Sequence, residues 1–89
     1  MNNATQISTT NERFSIYDKH LVIIEFVYLD DKCMAYVKDL RGIRNNLYRT
    51  SLIKSIDIKD DVITVTTRNS VYVFKTLGIT LKSFFYVFY

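Results

Sequence analysis

Between His20 and Phe74, short runs of β-branched and aromatic residues alternate with polar breaks of two or three residues. Val62 to Thr67 is almost purely β-branched, and such residues lose side-chain freedom in a helix because their χ1 angle is restricted. The same residues fit the pleated, half-buried surface of a sheet. The pattern therefore predicts an all-β fold.

The runs also indicate which strands are neighbours. Leu21–Leu29 is apolar on both faces, which indicates a central strand. The pair Asp30-Asp31 interrupts this run and Cys33–Val37 resumes it, so we predict an antiparallel hairpin with the two aspartates at the bend. Ile53–Phe74 predicts a three-stranded meander.

Five or six short antiparallel strands in 89 residues predict a small barrel or a strongly bent sheet. Strand number and chain length make an SH3-like barrel the first expectation. Arg13–Tyr17 alternates apolar and polar residues and indicates a short first strand. Residues 77–89 fit a short helix or a closing strand, and we predict a helical turn at Thr80–Ser83 followed by a strand from Phe84.

Composition bounds the organisation of the chain. Residues 1–12 are polar and predict a flexible N-terminal arm, which leaves residues 13–89 as a single β-rich domain. The single cysteine, Cys33, excludes an intrachain disulfide and suits a reducing compartment. No secretory signal stands out, and the run Leu21–Leu29 is shorter than the roughly 20 residues of a membrane-spanning helix. We therefore expect a cytoplasmic protein that does not bind membranes.

The candidate catalytic and metal-binding residues are few. One histidine and one cysteine cannot supply the four ligands of a structural zinc site, and the paired aspartates at 30–31 and 60–61 are typical of solvated turns. Cys33 and His20 could act as nucleophile and base if the hairpin joined them, but a cysteine in an apolar strand is usually inert. We therefore expect no enzyme, no cofactor and no metal, and keep a small enzyme or nuclease as the third class of hypothesis.

A basic stretch in the middle of the chain suggests nucleic-acid binding. Its cations could neutralise phosphates while Tyr48 stacks on unpaired bases. The net charge of +3 is modest, and the alternative is a solvated loop whose arginine stems cover the edge of the core. The candidate contacts to nucleic acid or to another partner are Lys38, Arg41, Arg44, Tyr48, Arg49 and Lys54.

Aromatic residues favour a protein partner instead. The chain has seven Tyr and six Phe, and they crowd its last six residues, where they either complete the core or form an interface. The candidate interface aromatics are Phe85, Tyr86 and Tyr89. The leading hypothesis is a non-catalytic module that binds a protein, and a small barrel that binds single-stranded nucleic acid is the alternative. An exposed strand edge could also pair with a second copy and give a homo-oligomer.

Two segments of the meander region resemble a hairpin pattern of small uncharacterised bacterial and mobile-element proteins. They read TSLIKSI at residues 50–56 and TTRNSVY at residues 66–72, and the stretch 50–72 that contains both is about a quarter of the chain. The resemblance implies an accessory protein of phage or plasmid type. Such proteins often act as stoichiometric inhibitors, so it also implies an inhibitor of a host defence complex, similar to the anti-CRISPR proteins. It assigns no role to individual residues, because a fold does not fix a function.

Overall fold

The computed structural model describes residues 2–40, 47–76 and 85–87. Within this part of the chain there are eight strands and one short 3-10 helix, so the all-β prediction is confirmed. In chain order the elements are β1 (Asn2–Thr9), the 3-10 helix (Glu12–Tyr17), β2 (Leu21–Leu29), β3 (Lys32–Asp39), β4 (Leu47–Arg49), β5 (Ile53–Lys59), β6 (Val62–Thr67), β7 (Val71–Thr76) and β8 (Phe85–Val87).

The strands form one sheet in the order β4-β3-β2-β1-β7-β6-β5, and neighbours in this order are antiparallel. β8 lies off this path and pairs parallel to the second half of β2, with Phe85 opposite Phe26. The predicted hairpin of β2 and β3, the central position of β2 and the meander of β5, β6 and β7 are confirmed. The predicted helical turn at Thr80–Ser83 lies outside the described residues.

The predicted count of five or six strands and the SH3-like barrel are wrong. Eight strands are described, and the sheet is open because its end strands β4 and β5 do not pair with each other. The sheet is nevertheless strongly curled. Only residues 50–52 join β4 to β5, which limits their separation there to about 14 Å, whereas six strand spacings in a flat sheet would require about 29 Å.

The predicted flexible N-terminal arm is also wrong. Residues 2–9 form β1, which lies in the middle of the sheet and pairs with β2 on one side and β7 on the other. Ala4 and Gln6 are completely buried. Only Thr5, Ile7 and Thr9 among its eight residues favour a strand, so its pairing with two neighbours determines its structure.

Arg13–Tyr17, predicted as a strand, lies instead in the 3-10 helix. The side chain of Asn11 caps this helix by accepting a hydrogen bond from the Arg13 amide at 3.1 Å, which satisfies a free donor of the first turn. A 3-10 helix has three residues per turn, so Phe14 and Tyr17 lie on the same side. Their rings pack over the interior of the curled sheet, against Tyr48.

The concave side of the curled sheet encloses the core. Its buried apolar side chains come from β1, β2, β3, β4, β6 and β7 and from the 3-10 helix: Ala4, Tyr17, Val22, Ile24, Phe26, Ala35, Val37, Tyr48, Ile63, Val65, Tyr72 and Phe74. From β5, Ile53 and Ile56 pack only against the margin of this cluster. The sheet is therefore least well covered along β5.

Candidate functional site

A cleft of about 690 Å³ lies where the curled sheet fails to close. One wall is the turn end of the β2–β3 hairpin, with Tyr28, Lys32 and Cys33, and the other wall is β5. From β5 and the residue before it, Leu52, Ile53, Lys54, Ile56 and Ile58 line the cleft. The lining is thus mainly apolar, with Asp31 and Lys32 on the hairpin wall and Lys54 on the β5 wall.

The edge of β3 that faces this cleft has no paired strand in residues 2–40, 47–76 and 85–87. β4 covers β3 only at Tyr36–Lys38, and Thr50 continues the cover by one residue: its amide donates to the Ala35 carbonyl at 2.9 Å, and its Oγ1 accepts from the Ala35 amide at 3.0 Å. Main-chain groups of an antiparallel strand face alternate neighbours, so Cys33, two residues before Ala35, directs its N–H and C=O to the same side. Among the described residues, no strand pairs with β3 at this point.

The edge of β5 is bare in the same way. Lys59 and Val62 flank the two-residue turn between β5 and β6 and face each other, and such a pair exchanges both of its main-chain hydrogen bonds. By alternation, Asp57 also bonds to β6, whereas Ile56 and Ile58 direct their N–H and C=O groups away from it. β5 ends the strand order in the described part of the chain, so these groups face the cleft.

Cys33 does not form a nucleophilic pair with His20. The hairpin register places Cys33 opposite Tyr28, while His20 precedes the other end of β2, roughly 27 Å away at 3.4 Å per residue. Burial raises the pKa of the Cys33 thiol, and a hydrogen bond from its partner Tyr28 offsets this only in part. The thiol is therefore protonated at neutral pH and is not an activated nucleophile.

The other chemistry-bearing side chains do not converge. In residues 2–40, 47–76 and 85–87, no group of three or more His, Cys, Asp or Glu side chains is placed to hold a metal ion. The aspartates at 30–31 and 60–61 lie at the tips of the two hairpins, where Asp30, Asp31 and Asp60 adopt positive φ angles of 51°, 63° and 56°. Their position in the turns agrees with the prediction, because Asp tolerates this conformation.

The candidate basic contacts separate into two places. Lys38 and Arg49 are exposed on adjacent strands, β3 and β4, where Tyr36 faces Arg49 and Lys38 faces Leu47. Lys54 lies on β5 in the wall of the cleft. Arg41 and Arg44 lie outside the described residues. The structure therefore places Lys38 and Arg49 on neighbouring strands and Lys54 at a different site.

Tyr48, predicted to stack on bases, belongs to the core. Its side chain is 4% exposed, and its ring stacks on Phe14 with 4.2 Å between ring centroids and 12° between planes. Tyr72 lies 5.9 Å from it, also in a stacked arrangement. No face of the ring is left for a nucleic-acid base. Of the candidate aromatics, Phe85 and Tyr86 lie in β8 opposite Phe26 and Val27, and Tyr89 lies outside the described residues.

Gln6 is a buried polar residue whose role the sequence does not reveal. Its Oε1 accepts a hydrogen bond from the Tyr48 hydroxyl at 2.6 Å, and its Nε2 donates to Asp18 Oδ1 at 2.8 Å and to the Phe14 carbonyl at 3.1 Å. One side chain thus joins β1 to β4 and to the 3-10 helix. A buried amide with its hydrogen bonds satisfied contributes to stability, and the same amide without partners would be costly.

The buried phenol of Tyr48 predicts a loss of stability at alkaline pH. Burial raises its pKa above the ordinary value of 10.0, and the charges of Tyr72, Asp18 and Tyr17 raise it further. The folded state keeps this proton where the unfolded state releases it. The contribution of the protonated Tyr48 phenol to the free energy of unfolding is therefore complete below pH 10 and falls above it by about 1.4 kcal/mol per pH unit. Urea unfolding between pH 8 and 12 should show a steeper decline for the wild type than for Tyr48→Phe, and equal slopes would contradict this assignment.

No family model, no curated protein and no solved structure matches this chain. In the described part of the chain, no helix has the length and hydropathy needed to cross a lipid bilayer.

Proposed function

We propose that the protein is a non-catalytic binding module whose cleft between β3 and β5 receives a protein partner. The observation that carries this proposal is a pair of strand edges that face one apolar space and that no other described strand covers. An unpaired edge is a template for another polypeptide, because its N–H and C=O groups lack partners along a row. A small-molecule site would instead present a few convergent polar groups in a deeper enclosure.

The concrete form of the proposal is a stoichiometric inhibitor that occupies a surface of a host defence complex. Its support is the resemblance of residues 50–56 and 66–72 to mobile-element proteins. The first of these segments forms the β5 wall of the cleft, since Leu52, Ile53, Lys54 and Ile56 all line it. The segment that carries the resemblance is therefore also the one that contributes most to the proposed binding site.

The burial of Tyr48 favours a protein over a single nucleic-acid strand. Sequence-tolerant binding of single strands depends on aromatic rings on which successive bases stack, combined with a cationic groove. Tyr48 has both faces occupied within the core, and Lys38 and Arg49 lie on a different surface from Lys54. The described cations therefore lie on separate surfaces, and the Tyr48 ring that the nucleic-acid hypothesis requires is not accessible beside them.

A matched pair of substitutions tests the proposal. Ile58 lies in the cleft and is 37% exposed, and Ile7 lies on β1 and is 42% exposed. A glutamate at either position is solvent-accessible in the free protein, but only Ile58→Glu would place an unpaired charge in the interface. We expect Ile58→Glu to weaken the complex by about tenfold or more and Ile7→Glu to leave the affinity unchanged.

The measurement has two stages. Proteins captured from a host extract by the tagged wild-type chain are identified, and the strongest candidate is purified and titrated by calorimetry with the wild type and both variants. Circular dichroism confirms that the variants fold. Equal affinities for the wild type and Ile58→Glu would contradict binding at the cleft. A protein that binds only single-stranded nucleic acid, with steep salt dependence, would contradict the proposal as a whole.

A further inference from the structure

We infer that the partner enters the cleft as an added β strand: an extended segment, in which acidic residues alternate with apolar ones, pairs with the free edge of β5 and faces the bare edge of β3. This inference rests on the proposed function and specifies the chemistry of its partner. Three features of the described residues carry it, namely the direction of the main-chain groups, the room between the walls and the charge of the lining.

The main-chain groups are arranged for antiparallel or parallel pairing. Ile56 and Ile58 direct their N–H and C=O groups into the cleft from β5, and Cys33 does so from β3. An incoming strand would satisfy the two β5 residues along one of its edges. The same strand would present its other edge to Cys33. Each side of the incoming segment therefore meets hydrogen-bonding groups.

The room between the walls limits the length of the added strand. Residues 50–52 tie the walls together, because Thr50 bonds to Ala35 of β3 and the Leu52 carbonyl accepts from the amide of Arg68 after β6. A strand between two others needs about 9.6 Å between the flanking backbones, so the added strand would lie toward the hairpin ends, away from residues 50–52. Ser55–Lys59 is about 17 Å long at 3.3–3.4 Å per residue, so it accommodates about five residues.

The lining defines the side chains of the segment. Tyr28, Ile53 and Ile56 are half-buried and supply an apolar floor, which suits an apolar residue at every second position. Lys32 and Lys54 are exposed on opposite walls, with Asp31 beside Lys32, so the cleft carries an excess of one positive charge. Acidic side chains at the alternate positions complement the two lysines.

A second copy of the chain fits this edge poorly. Each of two paired β5 edges would carry Lys54 and Lys59 against Asp57, which is a net charge of +1 on each strand. Like charges on facing strands are destabilising. The charge of the edge therefore favours an acidic segment over self-association.

Capped peptides of about eight residues test the inference with the full-length protein. The first alternates valine and glutamate, and the second alternates valine and lysine. Two further versions of the first peptide carry N-methyl groups on every second amide, one version at the odd-numbered positions and the other at the even-numbered positions; these are its two N-methylated phases. We expect the glutamate peptide to bind about tenfold more tightly than the lysine peptide at low salt, and one N-methylated phase to lose about tenfold in affinity. Binding should also slow the alkylation of Cys33, the single cysteine of the chain.

The outcomes separate this inference from the proposed function. Absence of binding by the glutamate peptide at millimolar concentration, equal binding of the glutamate and lysine peptides, or full affinity of both N-methylated phases would overturn strand addition. The cleft would still be the binding site if Ile58→Glu weakened the complex with the purified protein partner. A wild-type dimer in sedimentation that the glutamate peptide dissociates would assign the edge to a second copy and overturn the inference.

Discussion

Replacement of Gln6 by leucine is expected to lower the free energy of unfolding by about 3 kcal/mol, because it leaves one buried and two partly buried polar groups without the amide that they contact. Leucine resembles glutamine in size, so little cavity is created. The Tyr48 hydroxyl loses its 2.6 Å acceptor, and Asp18 Oδ1 and the Phe14 carbonyl lose the amide that donates to them. Urea unfolding of the wild type and the variant measures the difference.

Two further variants separate the hydrogen bonds from other effects of the substitution. The double variant Gln6→Leu/Tyr48→Phe should regain about 1 kcal/mol relative to Gln6→Leu, because the stranded hydroxyl is removed together with its acceptor. Asn3→Leu, on the exposed side of the same strand, should change stability by about 0.5 kcal/mol or less. A cost for Gln6→Leu no greater than that for Asn3→Leu would show that the buried amide does not join these elements.

Deletion of residues 2–9 is expected to abolish cooperative folding. The deletion removes β1, exposes the facing edges of β2 and β7, and removes the buried side chains of Ala4 and Gln6. A small domain has only about 5–15 kcal/mol of stability in total. The free energy lost when a central strand is removed is expected to exceed the lower part of this range. Circular dichroism and the dispersion of amide resonances should show an unfolded chain.

A variant that keeps β1 but alters its exposed side provides the control for the deletion. Asn3 and Ile7 are both exposed, so the double change Asn3→Thr/Ile7→Thr preserves the pairing and the buried side chains. This variant should fold cooperatively. A folded deletion variant with well-dispersed resonances would mean that residues 2–9 are dispensable, as expected of a flexible arm.

The sequence predicted those strands whose own residues favour a sheet. The aspartate pair at 30–31 marked the turn between β2 and β3, and the β-branched run Val62–Thr67 marked β6. These features are local, because a turn residue and a stiff χ1 angle act within a few positions. The hairpin and the meander therefore followed from the amino-acid sequence.

The parts that the sequence did not predict depend on distant partners. β1 is a strand because β2 and β7 lie on both of its sides, and its polar residues carry no sign of this. Tyr48 lies among basic residues in the sequence, which suggested a platform for base stacking. In the structure, Phe14, Tyr72 and Gln6 enclose its side chain. Each of these contacts joins residues far apart in the chain, so inspection of a single segment could not reveal them.

The cleft likewise results from the lengths of β4 and of the connection after it, and their effect is visible only in the assembled sheet. β4 has three residues, so it covers less than half of the eight-residue β3 and leaves Cys33 without a paired strand among the described residues. Residues 50–52 then carry the chain across to β5 without closing the sheet. A longer β4 would have covered the edge of β3. The short strand is therefore the structural origin of the proposed binding site.

Residue-resolved amide hydrogen exchange tests the open edge most directly. In the free protein, the amides of Ile56 and Ile58 should exchange rapidly while that of Asp57, which bonds to β6, is protected. Addition of the valine–glutamate peptide should protect Ile56 and Ile58 and leave Asp57 unchanged. Protection of all three amides in the free protein, or exchange at Ile56 and Ile58 that the bound peptide does not slow, would contradict an edge that accepts another strand.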